Sequence, residues 1–482
     1  MRKSLMVLLI TSVFGASAHA AQADISFSKK WTFTHGLQGN CQLAEIPAYD
    51  PKTHTIWVAG AVGVDVLDAR DGSLIEHIDV TGYGYVNGVA IKDGVAAFAV
   101  EASSFTLDGE CDSTQVGDRR NPGHVLFYST KNRQPFTRNP AVEVGALPDM
   151  LTFTPNGNKL IVANEGTPNL AADEDYDLQN DPAGTVSIID VKKRRLIATV
   201  GLDSVPTSGS ALRDASVVGM DYEPEYVVAV SNDKAYVTLQ EANAIAELDI
   251  KRKRFNSIVG LGVKDFTDPD NYIDPNDKDS KIELRSADVV GLYQPDSIVS
   301  YKWKGKTFLV MANEGDTRED EVDKARVDDD SDLDRLNIST VDSTETELVT
   351  FGARSFSIRD TRGNLIYDSG NILDAEAIRL EIYADGRSDD KGVEPEGLAL
   401  HKIKGRTYAF VGLERTTKSA VAVFDVTNPY EVEYIDMIVS DGDVSPEGLV
   451  TFEHRGKHYL AFSNEVSMTT TLYEMSVVKQ PR

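Results

Sequence analysis

One phrase recurs along the chain every few tens of residues: a proline, an acidic residue, a strand-like run, a tight polar turn, a second run, then Glu. It reads Leu147-Pro148-Asp149 with Ala163-Asn164-Glu165, then Glu223-Pro224-Glu225 with Leu239-Gln240-Glu241. It returns as Gln294-Pro295-Asp296 with Ala312-Asn313-Glu314, and as Glu394-Pro395-Glu396 with Gly412-Leu413-Glu414. The last copy is Ser445-Pro446-Glu447 with Ser463-Asn464-Glu465. Two weaker copies come first, Ile46-Pro47-Ala48 leading to Gly60 and Val86-Asn87-Gly88 leading to Glu101, which makes seven. A repeat of this kind marks a unit that cannot bury its apolar surface alone and must stack on its neighbours.

Inside a unit, Met150 to Phe153 and Lys159 to Val162 alternate like half-buried strands around Pro155-Asn156-Gly157, a hairpin signal. Two more strands follow, as in Thr185 to Ile189 and Leu196 to Val200, or Ala420 to Phe424 and Glu433 to Ile435. Four short antiparallel strands per unit, with no sustained helical period, predict an all-β, seven-bladed β-propeller. The last unit runs out one strand early, after Thr471-Leu472-Tyr473. The alternating segment Ile25 to Phe33 is expected to supply that strand and close the ring, which removes an open sheet edge. Residues 21–482 then form one propeller domain, although length alone would suggest two or three.

The chain opens Met1-Arg2-Lys3, continues through an apolar run from Leu5 to Phe14 and reaches Ala18-His19-Ala20, the pattern of a secretory signal peptide. Cleavage is expected after Ala20, or after Ala23. No second apolar run is long enough to span a bilayer, and Ser476 to Arg482 carries no sorting signal. These features predict an exported protein, periplasmic or secreted. In that setting Cys41 and Cys111 are candidates for one disulfide. The formal net charge of −27 excludes nucleic acid and anionic membranes as partners. It suits cationic partners, and equally it suits simple dispersal of an exported protein.

The turns inside each hairpin are short, whereas residues 102–121, 166–183, 201–223, 262–294, 315–350 and 371–394 are long excursions that all fall on one face of a propeller. Long loops gathered on one side of a rigid scaffold are where binding is built. That face also receives the repeated acids. Asp149, Glu225, Asp296, Glu396 and Glu447 begin first strands, while Glu101, Glu165, Glu241, Glu314, Glu414 and Glu465 end second strands. So many carboxylates around one channel mouth cannot all stay ionised and unpaired. They can bind divalent cations, pair with arginines or accept backbone hydrogen bonds. Oxygen ligands without clustered His or Cys select Ca²⁺ or Mg²⁺ over Zn²⁺. Arg318, Arg387, Lys391 and Arg415 stand near these acids and can hold an anionic group such as phosphate, or neutralise the ring. The run Asp328 to Asp334 lacks the Gly and closing Glu of an EF-hand and reads as a solvated loop. There is no phosphate-cradling Gly-Lys-Ser, no Gly-x-Ser-x-Gly and no His-Glu-x-x-His, and the eight histidines are unclustered.

The segments Asn164-Glu165-Gly166, Glu223-Pro224-Glu225-Tyr226 and Gln294-Pro295-Asp296-Ser297 with Ala312-Asn313-Glu314-Gly315-Asp316 resemble the choice-of-anchor I family. So do Glu394-Pro395-Glu396-Gly397 with Gly412-Leu413-Glu414-Arg415, and Ser445-Pro446-Glu447-Gly448 with Asn464-Glu465-Val466-Ser467. The resemblance covers nearly the whole chain after the signal peptide. It implies a secreted bacterial propeller with an interchangeable C-terminal anchor, similar to a mesenchyme-specific cell-surface glycoprotein linked to calcified skeletons. Many members carry the label alkaline phosphatase, yet the Ser nucleophile and zinc ligands of true alkaline phosphatases are absent here. Two functions follow as expectations. One is a metal-dependent phosphoesterase acting on a phosphorylated small molecule. The other is a non-catalytic calcium-binding or cell-surface interaction propeller.

Overall fold

The computed structural model describes residues 25–36, 42–107, 113–167, 181–213, 222–318, 323–327 and 331–477. The protein is all-β, with one α-helix, Ile372–Arg379, among the described residues. Seven sheets follow one another along the chain, antiparallel except where Thr207–Ser210 adds parallel to Arg254–Leu261 in the fourth. The first holds Pro47–Asp50, Thr55–Gly60, Gly63–Asp68 and Leu74–Asp79, and the second begins at Val86–Lys92. The third to sixth begin at Pro148–Phe153, Pro224–Val228, Ile298–Trp303 and Pro395–Ile403. The seventh comprises Pro446–His454, Lys457–Asn464 and Thr469–Val477, and Ile25–Thr34 pairs antiparallel with Thr469–Val477 as its fourth strand. The expected pairing of the N-terminal strand with the last unit is therefore present. Each sheet's first strand touches the next sheet's first strand in order, and the seventh returns to touch the first.

Every neighbouring pair of sheets shares its own apolar cluster. Phe308, Val310 and Phe356 of the fifth meet Val411 and Phe424 of the sixth. Phe410 and Val421 of the sixth meet Leu460 and Phe462 of the seventh, and Phe452 and Leu472 of the seventh meet Ile56 and Val58 of the first. The second strands are consequently buried on both faces. Thr55–Gly60 is buried throughout, and so are Leu160 to Asn164. The alternation expected of Lys159 to Val162 gives way to a continuous apolar run, because a sheet between two others has no solvent face.

The hairpin turns are as short as expected. Lys304-Gly305, Lys404-Gly405 and Arg455-Gly456 all take positive φ at both residues, the backbone twist that suits a two-residue hairpin. The long excursions build structure that the sequence patterns did not indicate. Val263–Asp265 and Val290–Leu292, from the connection into the fifth sheet, join Val349–Thr350, Asn337–Ser339 and Lys324–Arg326 from the loop inside it, making an eighth sheet. Phe266, Ile273, Val289 and Leu336 form its small core. Arg354, fully buried, ties these excursions together by donating to the carbonyls of Asp274, Ser388 and Asp390. No helix among the described residues is long and apolar enough to cross a membrane. Residues 1–20, Cys41, Cys111 and Asp328 to Asp330 lie outside the described residues.

Candidate functional site

The repeated phrase has a specific backbone form. Leu147, Gln294, Glu394 and Ser445, each preceding a proline, take φ of 43°, 41°, 50° and 65°. A following proline disfavours the right-handed helical region, and the left-handed one costs a non-glycine residue on the order of 1 kcal/mol. Backbone bonds hold all four turns: Glu165, Glu414 and Glu465 donate their N–H groups to Leu147, Glu394 and Ser445 at 2.9, 2.9 and 2.8 Å, and Gly315 donates to Gln294 at 3.1 Å. The acid after the proline then sits on a β-bulge. Register shifts between Pro148 and Leu151, Pro224 and Val227, Pro395 and Leu398, and Pro446 and Leu449. A bulge re-aims a side chain, and here the re-aimed side chains are Asp149, Glu225, Glu396 and Glu447.

These residues line a cavity of about 300 Å³ together with Asp296, Glu45 and Asn87. One residue comes from each of the seven units. Asn87 lies at the bulge of the second sheet, between Val86 and Gly88. Glu45 donates to Ala59 while Ala59 donates to Ile46, both at 3.0 Å, and Asp296, Ala312 and Ser297 repeat that two-bond pattern. The first unit therefore aligns on Glu45, two residues before the proline at 47 that marked it in the sequence. Anchoring the repeat on the acid instead of the proline would have found it.

A second tier follows the ends of the second strands. Glu314, Glu414 and Glu465 line the same cavity, and so does Gln240. Because Pro224 pairs with Leu239 as Pro148 pairs with Asn164, Gln240 stands where Glu165 stands, and Glu241 lies one residue beyond. Gln240 donates to Glu314 at 3.0 Å. Glu101, Glu165 and Glu241 are outside the lining, although Glu225 feels the charges of Glu165 and Glu241. Tyr226 also lines the cavity.

Desolvation is the first cause of the unusual acidities here, and mutual repulsion adds to it. Glu225, Asp296, Glu396 and Glu447 are all pushed well above the usual carboxylate range. Asp149 rises to about 6 and Glu45 to about 8, the latter in spite of the hydrogen bond from the Tyr85 hydroxyl. Glu414 rises to about 8, with Arg415 opposing the shift.

Three of the four expected cations converge on one side. Lys391 lies 2.8 Å from Glu314 and 3.1 Å from Glu394, Arg387 lies 2.6 Å from Glu394, and Arg415 lies 2.8 Å from Glu414. Their charges are met by the protein's own acids. Arg318 does not line the cavity, and its backbone N–H donates to Asp323. Glu394 was marked in the sequence only as part of the phrase, yet it joins all three cations, with Arg415 at 3.8 Å. Two groups bring carboxylate oxygens within 4.8 Å of one another: Glu314, Glu394 and Glu414, and Glu396, Glu414 and Glu447. The first is already neutralised by Lys391 and Arg387. In the second, Glu396 Oε2 has no hydrogen-bond partner among the described residues. Such an all-oxygen set suits a hard divalent cation.

Six of the eight histidines, scattered in sequence, come together in space. His35 and His77 flank Asp65 at 2.7 Å each, His54 stacks on His454, and His401 lies 2.9 Å from His458. The contact of the seventh sheet with the first brings His54 and His454, 400 residues apart, together.

A family model described as the choice-of-anchor I domain matches residues 45–429. Gigasin-3a of Magallana gigas is 31% identical over 114 residues, which cover 19% of this chain and 40% of that protein. The chain thus spans well under half the length of that curated relative. Among solved structures, Kuenenia stuttgartiensis hydrazine synthase superposes with a TM-score of 0.51 at 11% identity, over 91% of this chain and 97% of the other. A likeness at that identity concerns the fold alone.

Proposed function

This chain belongs to the choice-of-anchor I family, and from that premise we propose that it is an exported, single-domain seven-bladed β-propeller that holds a divalent cation, Ca²⁺ or Mg²⁺, at its acidic channel mouth. Family membership supports export or display at the cell surface. The cyclic contact order of the seven first strands supports the propeller. The observation that carries the cation is the meeting of Glu396, Glu414 and Glu447 oxygens within 4.8 Å, with one oxygen unpartnered among the described residues. The cation would replace the protons that desolvation and repulsion otherwise force onto these groups. Asp149, Glu225, Asp296 and Glu465 complete the field around it, and Glu165 and Glu241 contribute from behind. Lys391, Arg387 and Arg415 are assigned to neutralising this ring, on the evidence of their ion pairs.

Metal-dependent phosphoester hydrolysis is the second reading, favoured by Arg415, which lines the same cavity beside Glu414. A bound cation would supply polarisation of the phosphoryl oxygens and of a water, and Arg415 would hold the phosphate. The non-catalytic reading needs the cation alone. Thermal unfolding with Ca²⁺, Mg²⁺ or chelator tests the common part. Replacing Glu396 and Glu447 together with Gln keeps the shape and removes two ligands. The parent should gain melting temperature with Ca²⁺ in a concentration-dependent way, and the double variant should lose most of that gain. Equal stabilisation of both proteins would remove these residues as ligands. A screen of phosphomonoesters and phosphodiesters on the same pair separates catalysis from binding.

A further inference from the structure

A second cavity, of about 670 Å³, lies at the opposite ends of the strands, between the hairpin turns of the first and seventh sheets. His54 and His454 stand at its centre. Their rings stack with centroids 3.6 Å apart and planes within 10°. The Tyr49 hydroxyl lies 2.8 Å from Nδ1 of His54 and 3.3 Å from Nδ1 of His454. One hydroxyl can donate to one ring and accept from the other, so both Nδ1 atoms are committed. Neither Nε2 takes a hydrogen bond among the described residues.

Four cations surround this pair: Lys30, Arg70, Arg455 and Lys457. Two acids face them. Asp68 pairs with Arg70, and Glu474 is shared by Lys30 at 3.4 Å and Lys457 at 3.1 Å. Arg455 has no ion pair among the described residues. The pocket is therefore two charges positive with both histidines neutral, in a chain whose net charge is −27. The overall field of such a chain repels anions, so a locally positive cavity is not what its composition would produce by default. Tyr459 and Leu472 give one wall an apolar surface. A cavity of this size takes a molecule larger than a bare ion.

We propose that this pocket binds a sulfate or phosphate monoester of a sugar-sized molecule, with Arg455 and Lys457 on the oxyanion and the stacked histidines beneath it. Burial first, and then His454, Arg70 and Arg455, hold the His54 imidazole below its usual range, with Asp68 opposing them. An anion offsets those like charges, so binding takes up a proton and tightens as pH falls. Lys30, Lys457, Glu474, Tyr49 and Tyr459 complete the titratable groups around the pair.

Calorimetry at low ionic strength tests this with inorganic sulfate and glucose 6-sulfate at pH 6 and pH 8. Sulfate keeps one charge state across that range, so any pH dependence belongs to the protein. The parent should bind the ester more tightly than the free ion, and more tightly at pH 6. The exposed pair of substitutions Arg455→Gln and Lys457→Gln should weaken the ester at least about tenfold, as loss of a charged hydrogen bond does, with the melting temperature unchanged. Imidazole proton resonances of His54 and His454 should shift on addition of the ester to the parent. No binding, or equal binding by parent and variant, overturns the site. Free sulfate binding as tightly as the ester overturns the monoester.

Discussion

The two sides of the acidic mouth are built by different means. On the side of the fifth and sixth sheets, Glu314, Glu394 and Glu414 meet Lys391, Arg387 and Arg415 in direct ion pairs. Across the cavity, Glu45 accepts from the Tyr85 hydroxyl and has no ion pair among the described residues, and Glu225 is surrounded by Glu165, Glu241, Asp149 and Asp296. The acids recur because the unit recurs. Lys391 and Arg387 come from the connection that carries the α-helix, Ile372–Arg379, whereas Arg415 follows the sixth sheet's second strand. On the other side Arg119 lies 3.6 Å from Glu101 and opposes the rise of Asp149. Repetition supplies the negative charge around the whole mouth, and residues outside the repeat supply the positive charge.

Removing the cation from the neutralised side should produce the largest effect. Lys391→Met leaves Glu314 buried without its nearest positive charge and Glu394 with one cation fewer, and breaking such a pair costs about 3–5 kcal/mol. Denaturant unfolding measures it. The exposed pair of Lys418 with Asp441 is the control, and Lys418→Met should change stability by less than about 1 kcal/mol. If Lys391→Met costs no more than that, the two sides do not differ in the way their ion pairs suggest.

The bare side should be visible in the pH dependence. Glu45 moves from 4.5 to about 8 and Asp149 from 3.8 to about 6 on folding. A carboxyl whose folded value is raised stabilises the fold while protonated, and that contribution disappears as pH rises through the folded value. In chelator, the melting temperature should therefore fall between about pH 5 and pH 8. Calcium at a hundredfold excess over its dissociation constant should add about 2.7 kcal/mol and flatten that decline. A melting temperature that rises steadily over this window would show that the ring carboxylates are not repelling one another.

How far these sites could be read from the residues depended on whether spacing or rotation created them. The seven units, the closing pair of Ile25–Thr34 with Thr469–Val477, and the gathering of Asp149, Glu225, Asp296, Glu396 and Glu447 all follow from a repeat visible in one dimension. The first unit lacks the Pro-acid pair, and its proline at 47 follows Glu45 by two residues instead of preceding the acid by one. A repeat of carboxylates points to Glu241, whereas this unit carries an amide, Gln240, at the equivalent position. The eighth sheet joins short strands of two separate excursions through a parallel pair, Val290–Leu292 with Val349–Thr350, and no local pattern encodes such a pairing. The histidine pairs have the same origin. His54 and His454 are 400 residues apart in sequence, and only closure of the ring brings their rings to 3.6 Å.

The smallest expected effect is the sharpest test of the comparison, because its sign differs across the mouth. Glu45→Gln keeps an oxygen for the Tyr85 hydroxyl and removes one charge from the bare side. The folded carboxyl resists ionisation, first from desolvation and then from Glu465, Asp149 and Glu101. In chelator at pH 9, where the parent must ionise it, the variant should be more stable on the order of 1 kcal/mol. At pH 5 the parent carries the proton and the gain should vanish. Glu394→Gln makes the same chemical change on the other side, but there the lost charge is shared by Lys391, Arg387 and Arg415. That variant should lose more than about 1 kcal/mol at either pH, because a buried lysine and an arginine are left with one fewer partner. Stabilisation by Glu394→Gln, or destabilisation by Glu45→Gln at pH 9, would mean that the mouth is electrostatically uniform. Its ion pairs would then serve only to position the loop that carries Lys391.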